Sequence, residues 1–230
     1  MNTDYVGDAV IVRRSSDNAT QSIGFVDGEL DVDTLNTFCS GTDGFITTWY
    51  DQSGNGNDAT QSIASEQPKI YDSTTGVILE NNKPAIYTDG VDGFVISSVI
   101  AATGQKYAFS VNTVDDALWS MYADDAAGGN IIPVGQSGSV SGISIGYTLN
   151  VLYHNTNVFS GTSGDLYTLY NTTGQSLTTI DFDGAGVGVL LYRNGFRLQG
   201  FTQEIIIYNS DQSSNRTGIE TNINEFYSIY

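Results

Sequence analysis

An all-β sandwich closed by one short C-terminal helix is the fold this sequence predicts, and three observations carry the prediction. Short runs of β-branched and aromatic residues recur along the chain, which suits a pleated, half-buried surface. Clusters of Gly, Asn, Asp and Ser divide them at the intervals of a sandwich. With 26 Gly and 14 Tyr but only 3 Pro, residue usage favours turns between strands over helices. A chain of 230 residues that is 40% hydrophobic can bury roughly 70% of the surface its unfolded state exposes, so residues 1–230 are expected to form a single domain.

The elements follow in order. Asp33 can cap a short helix that runs through Leu35 to Phe38. Strands are expected near Phe45 to Tyr50, Lys69 to Tyr71, Val77 to Glu80 and Ala85 to Thr88, with a turn at Asp89-Gly90-Val91-Asp92-Gly93. Further strands are expected at Phe94 to Ser97, Tyr107 to Val111, Ala117 to Tyr122, Ile143 to Leu149, Val151 to His154, Leu166 to Tyr170, Val187 to Arg193 and Phe201 to Tyr208. The closing helix takes Asp211 or Ser213 as its cap, and Ile219, Ile223, Phe226, Tyr227 and Tyr230 recur as one apolar stripe expected to dock on the sandwich, with a neighbouring subunit as the alternative.

The sharpest local signal is Thr48-Trp49-Tyr50-Asp51-Gln52-Ser53-Gly54-Asn55-Gly56-Asn57, where a strand ending in two aromatics runs into residues that tolerate positive φ. Asp51 and Gln52 at such a corner are expected to bond the amides of the following loop, a structural role shared with Trp49, Tyr50, Gly54, Asn55 and Gly56. Together with Thr37-Phe38-Cys39 and Ile46-Thr47, this wording resembles the catalytic domain of the family 54 α-L-arabinofuranosidases. Val10-Ile11-Val12-Arg13-Arg14-Ser15-Ser16-Asp17 is similar to that family's early basic strand and turn, and Gly200 to Asp211 to its closing strand. The resemblance implies a concanavalin A-like, or laminin-G-like, jelly-roll β-sandwich.

A retaining glycosidase needs two carboxylates about 5 Å apart. The resemblance places the nucleophile in a small-residue strand and the acid in a Gly/Asn-rich loop before the closing strand. Here Gly138 to Tyr147 holds no acid, and Leu190 to Arg197 carries Arg193 and Arg197 instead. The family also pairs two cysteines, whereas Cys39 is alone, with Gly44 roughly where a second would fall. On these departures no catalytic residue is assigned, and the chain is expected not to be an enzyme.

Other constellations are weighed by their chemistry. Asp115-Asp116 and Asp124-Asp125 flank an aromatic strand, so Trp119, Tyr122, Asp124 and Asp125, with Tyr147 and Tyr153, are the candidate glycan contacts: rings stack on sugar C–H faces while acids accept hydroxyl protons. Asp27 to Asp33 and Asp181-Phe182-Asp183-Gly184 faintly resemble cation loops without the full spacing, so no metal site is assigned and no cofactor is expected, Ca²⁺ being the one ion such loops could share. His154, the sole histidine, is expected at the surface of a strand end, and Cys39 as a small buried hydrophobe. Gly184-Ala185-Gly186-Val187-Gly188 precedes a strand, not a helix, which removes a dinucleotide loop.

Charge excludes further classes. A formal net charge of −18 repels nucleic acid and anionic membranes, and no apolar run approaches the ~20 residues that span a bilayer. Met1 to Asp8 has no basic region followed by an apolar one, so no secretory signal is read there. Synthesis in a host cytoplasm and use outside it suggest a noncatalytic bacteriophage virion structural protein, a head decoration, head-fibre or tail-adhesin module on the virion surface. Its expected partners are other virion proteins of capsid or tail, cell-surface polysaccharide and a second copy of itself; an extracellular location is the alternative. The competing expectation is an arabinofuranosidase-like glycoside hydrolase whose carboxylates have moved, for example to Asp115, Asp124, Asp165 or Asp183.

Overall fold

The computed structural model describes residues 5–100, 105–115, 119–123, 131–135, 148–161, 165, 168–169, 174–184, 186–191 and 198–230. They form an antiparallel jelly-roll β-sandwich, as expected, with the C-terminal helix laid on one layer. One layer holds Val10–Arg14, Gly44–Trp49, Ala59–Thr60, Phe94–Ile100, Val187–Leu190, Trp119–Ala123 and Ile131–Gly135. The other runs Ile86–Asp89, Gln199–Tyr208, Gln105–Val114, Ser176–Asp183, Thr148–His154 and Asn157–Val158, and Lys69–Asp72 links the two.

Strand alternation explains why the second layer is buried on both faces. Ala108, Val114, Ile180, Phe182 and Leu152 point inward and meet Val12, Ile46, Phe94 and Ile96 of the facing layer. Tyr107, Phe109, Val111 and Leu177 point outward and are covered by Ile223 and Tyr227 of the helix Arg216–Tyr227. Each large apolar side chain removed from water in this way contributes about 1.5–3 kcal/mol, so the helix completes a second core. Ile219 and Phe226 pack on its rim, whereas Tyr230 is 53% exposed and does not belong to the stripe.

Both helices correct their expected caps. The first spans Val32–Cys39, and its cap is Asp31, which accepts from the Thr34 amide at 3.0 Å and the Thr34 hydroxyl at 2.6 Å. Asp33 lies in the first turn, where its charge still favours the helix dipole. In the second helix the residue at the cap is Asn215, with no side-chain cap bond. Asp211 instead accepts from the Ser213 amide at 2.8 Å, closing a turn before the helix. At the far end Ser228 is left-handed, and the Asn224 carboxamide oxygen takes the amides of Ile229 and Tyr230 at 2.9 and 3.0 Å, which ties the tail down.

Five expectations within the strands change. Ser176–Asp183, a central strand, was not anticipated, nor were Thr20–Ile23 and Ile131–Gly135. Asp165, Thr168 and Leu169 are helical where Leu166 to Tyr170 reads as a strand; the rest of that stretch lies outside the described residues. His154 is 6% exposed, not a surface residue, because Leu152 beside it anchors that strand end in the core. Its Nε2 shares a 3.1 Å hydrogen bond with the Ser176 hydroxyl, and burial holds its pKa below the usual imidazole value.

Cys39 is fully buried, and burial pushes its thiol up to about 11. A Cβ added at Gly44 would come within 2.7 Å of the Cys39 Sγ, so the sulfur occupies the space that the missing side chain leaves.

Candidate active site

The signature turn is a hydrogen-bonded corner. Asp51 accepts from the amides of Ser53 at 2.8 Å and Asn57 at 2.9 Å, while its own amide donates to Asp58. Burial alone would lift the Asp51 carboxyl; the amides outweigh it and hold the group below the usual carboxylate range. Gly54 and Gly56 supply the positive φ of 82° and 74° that lets the chain reverse. Trp49 packs edge-on against Phe94 at 6.0 Å. Every polar atom of Asp51 that can be traced serves the loop, so this corner builds structure.

Trp49, Asp51 and Gln52 also line a cavity of about 1380 Å³ that reaches Gln203, Glu204 and Tyr227. Two further acids line it. Glu29 is held by the Lys83 ammonium at 2.5 Å, and that ammonium also sits 4.2 Å from the Phe226 ring centre, so Glu29 fastens the helix to the Phe25–Leu30 hairpin. Glu204 lies on the outer face opposite Val111, and burial raises its carboxyl. Neither is presented with the other as a hydrolytic pair.

Two further sets of carboxylates stand at opposite ends of the outer face of the second layer. At one end, Asp181 and Asp183 leave the Ser176–Asp183 strand on the same side, two residues apart. The Asn150 Nδ2 donates to the Asp181 Oδ1 at 3.1 Å and to the Asp183 Oδ2 at 3.0 Å, so those oxygens stand at most about 6 Å apart. Gln105 donates to both oxygens of Asp181, at 2.8 and 2.9 Å, and the Tyr107 hydroxyl donates to its Oδ2 at 3.3 Å. At the other end, Asp115 follows the Gln105–Val114 strand, and burial, then the charge of Glu80, raises its carboxyl. Glu80 accepts from the Thr113 hydroxyl at 2.7 Å.

The expected glycan contacts do not all fall on described residues. Trp119 and Tyr122 lie on the Trp119–Ala123 strand, paired with Ile131–Gly135 and Val187–Leu190. Asp124, Asp125 and Tyr147 lie outside the described residues, as do Arg193, Arg197 and the Gly138 to Tyr147 stretch. Tyr153 stands on the outer face, with the Arg216 guanidinium 4.0 Å above its ring and Arg216 in turn bound to Glu220 at 2.5 Å. Asp165 is exposed and helical. Among the described residues no three His, Cys, Asp or Glu side chains converge as metal ligands.

Sequence reasoning named Asp183 but placed Asp181 and Asp183 in a loop, and it missed Gln105, Tyr107 and Asn150. The signal was present: Thr178, Ile180 and Phe182 alternate with Thr179, Asp181 and Asp183, a period of two. The Asp-Phe-Asp-Gly wording reads as a turn, and only the Gly is one.

Residues 1–123 match a family model described as the catalytic domain of α-L-arabinofuranosidase B. No curated protein matches the chain. A solved family 54 α-L-arabinofuranosidase soaked with a cyclic sulfate inhibitor is similar in structure, with a TM-score of 0.63 at 14% identity, over 95% of this chain and 59% of that one. A Glu-to-Gln mutant of such an enzyme soaked with 4-nitrophenyl α-L-arabinofuranoside gives 0.62, again at 14% identity over 95% of this chain and 59% of the other. An arabinofuranosidase complexed with arabinofuranosyl-α-1,2-xylobiose gives 0.59 with the same identity and coverage. The chain spans 59% of the length of these solved chains, and at that identity the likeness is one of fold.

These findings correct the expectation of a noncatalytic virion protein. It rested on acids missing from two stretches outside the described residues, while the acids of the Ser176–Asp183 strand were taken for a loop. The matched family model and the three similar structures are all arabinofuranosidases, and none is a virion component. With the match covering more than half of its length, the chain belongs to the α-L-arabinofuranosidase B catalytic-domain family.

Proposed function

We propose that this chain is an arabinofuranosidase-like glycoside hydrolase, acting on α-L-arabinofuranosyl groups of a polysaccharide, with Asp181 and Asp183 as its acid pair. The observation that carries the reading is the family match over residues 1–123. The geometry adds a carboxylate pair no more than about 6 Å apart, nearer the 5–5.5 Å of retaining enzymes than the wider gap that admits a water. Asp181, 6% exposed and fixed in place through both oxygens by Gln105, Tyr107 and Asn150, is assigned the nucleophile, whose position must be held for attack. Asp183 is more exposed and suits the acid.

In the first step an Asp181 oxygen bonds the anomeric carbon as the glycosidic C–O bond breaks, and Asp183 gives its proton to the departing oxygen. In the second, Asp183 takes a proton from water, whose oxygen bonds the anomeric carbon as the ester to Asp181 breaks.

The test is release of 4-nitrophenol from 4-nitrophenyl α-L-arabinofuranoside. Asp183→Asn and Asp181→Asn are each expected to lower kcat/KM by about 10²–10⁴, with folding unchanged by circular dichroism. Turnover that survives both changes but vanishes with Asp115→Asn would move the acid to the opposite end of the sheet. No wild-type turnover on any α-L-arabinofuranoside would overturn the reading.

A further inference from the structure

We infer that Asn150 is the positioning residue of this acid pair, aimed at it by a β-bulge. The inference rests on the proposed roles of Asp181 and Asp183. In the pairing of Thr148–His154 with Ser176–Asp183, Leu149 faces Phe182 and Val151 faces Asp181, so the register shifts and Asn150 is the extra residue. Leu149 packs against the main core, and Leu152 is buried within it. Strict alternation from Leu152 would send residue 150 inward and residue 149 outward. The bulge reverses this: Leu149 keeps its place in the core, and the Asn150 carboxamide turns to the acids, a known use of bulges beside sites.

Among the described residues, its position gives it a task no neighbour shares. One NH₂ group carries two hydrogens, and the distances of 3.1 and 3.0 Å give one to each carboxylate. Asp181 is also fixed by Gln105 and Tyr107, whereas Asn150 is, among the described residues, the side chain that donates to Asp183. Removing the amide therefore leaves the nucleophile in place and releases the acid. The other titratable groups beside the pair are Tyr107, whose hydroxyl is raised by burial and then by Asp181, and Lys106. The Lys106 ammonium donates to the Gly184 carbonyl at 3.0 Å, is lowered by burial and feels Asp183.

Asn150→Ala and Asn150→Ser, checked for folding by circular dichroism, are compared with wild type on 4-nitrophenyl α-L-arabinofuranoside from pH 4 to 8. Asn150→Ala is expected to lower kcat about 10–100-fold with little change in KM. Asn150→Ser, with one hydroxyl hydrogen to give, should fall between the two, and it decides the matter alone if the alanine variant does not fold. Wild-type kcat in a folded variant would overturn the inference while leaving the glycosidase reading intact. A wild type without turnover would overturn both.

Discussion

The two ends of the outer sheet face treat their carboxylates in opposite ways. At the Asp181 end, two acids on one strand are joined by an amide and surrounded by donors from the strands on either side. At the Asp115 end, an acid faces the charge of another acid, and the nearest histidine, His154, is buried. Both ends belong to the same pair of neighbouring strands, because Gln105 faces Asp183 and Asn112 faces Ser176. What differs is the supply of donors. Where strands bring amides and hydroxyls, close carboxylates become an organised pair; where the described residues bring only the Thr113 hydroxyl, the like charge is carried as a destabilising load.

That contrast can be broken first at Gly200. Its φ is +144°, and a Cβ there would come within 2.0 Å of the Thr113 carbonyl oxygen, at the Asp115 end. Gly200→Ala is expected to cost about 3 kcal/mol, read as a lower urea midpoint. A loss under about 1 kcal/mol would show that this end yields easily and that its packing does not hold Asp115 in place.

His154 sharpens the same contrast through pH. Its folded pKa lies below the ordinary imidazole value, so its contribution is present above the unfolded pKa near 6.5 and declines as pH falls below it. Between pH 6.5 and 5 the wild type is expected to lose about 1 kcal/mol that His154→Gln does not lose. Parallel thermal melting curves for the two proteins would place the acid sensitivity elsewhere.

The smallest effect is expected at Asp115. A carboxyl raised in the folded state adds stability below its unfolded pKa and loses that advantage as pH rises, so at pH 7 it is a net burden. Asp115→Asn should raise stability at pH 7 by a few tenths of a kcal/mol, given its exposure. The gain should vanish below pH 4. A loss at pH 7 would mean that Asp115 has a donor comparable to those of Asp181.

Legibility in the sequence followed the range of the interactions. The Asp51 corner could be read because its bonds run to Ser53 and Asn57, a few residues on. The stripe of Ile219, Ile223 and Tyr227 could be read because a helix repeats locally. The Ser176–Asp183 strand was hidden by its Thr and Asp content, which resembles a turn until a neighbouring strand supplies donors. The Asn150 bulge was illegible in principle, since a bulge is defined by the register of the partner strand. Asp31 was passed over for Asp33 because two acids at that spacing are equally good caps until the entering hairpin fixes where the helix begins.

The close fit of the Cys39 sulfur against Gly44 has a consequence for chemistry outside the sheet face. A side chain there would touch the Cys39 sulfur, but glycine offers only hydrogen, and the thiol is sealed away from solvent with its proton firmly held. As the sole cysteine, it has no partner within the chain with which to be oxidised. The sandwich is therefore built without any covalent bond that reductants could break, and its stability is indifferent to the redox poise of its surroundings.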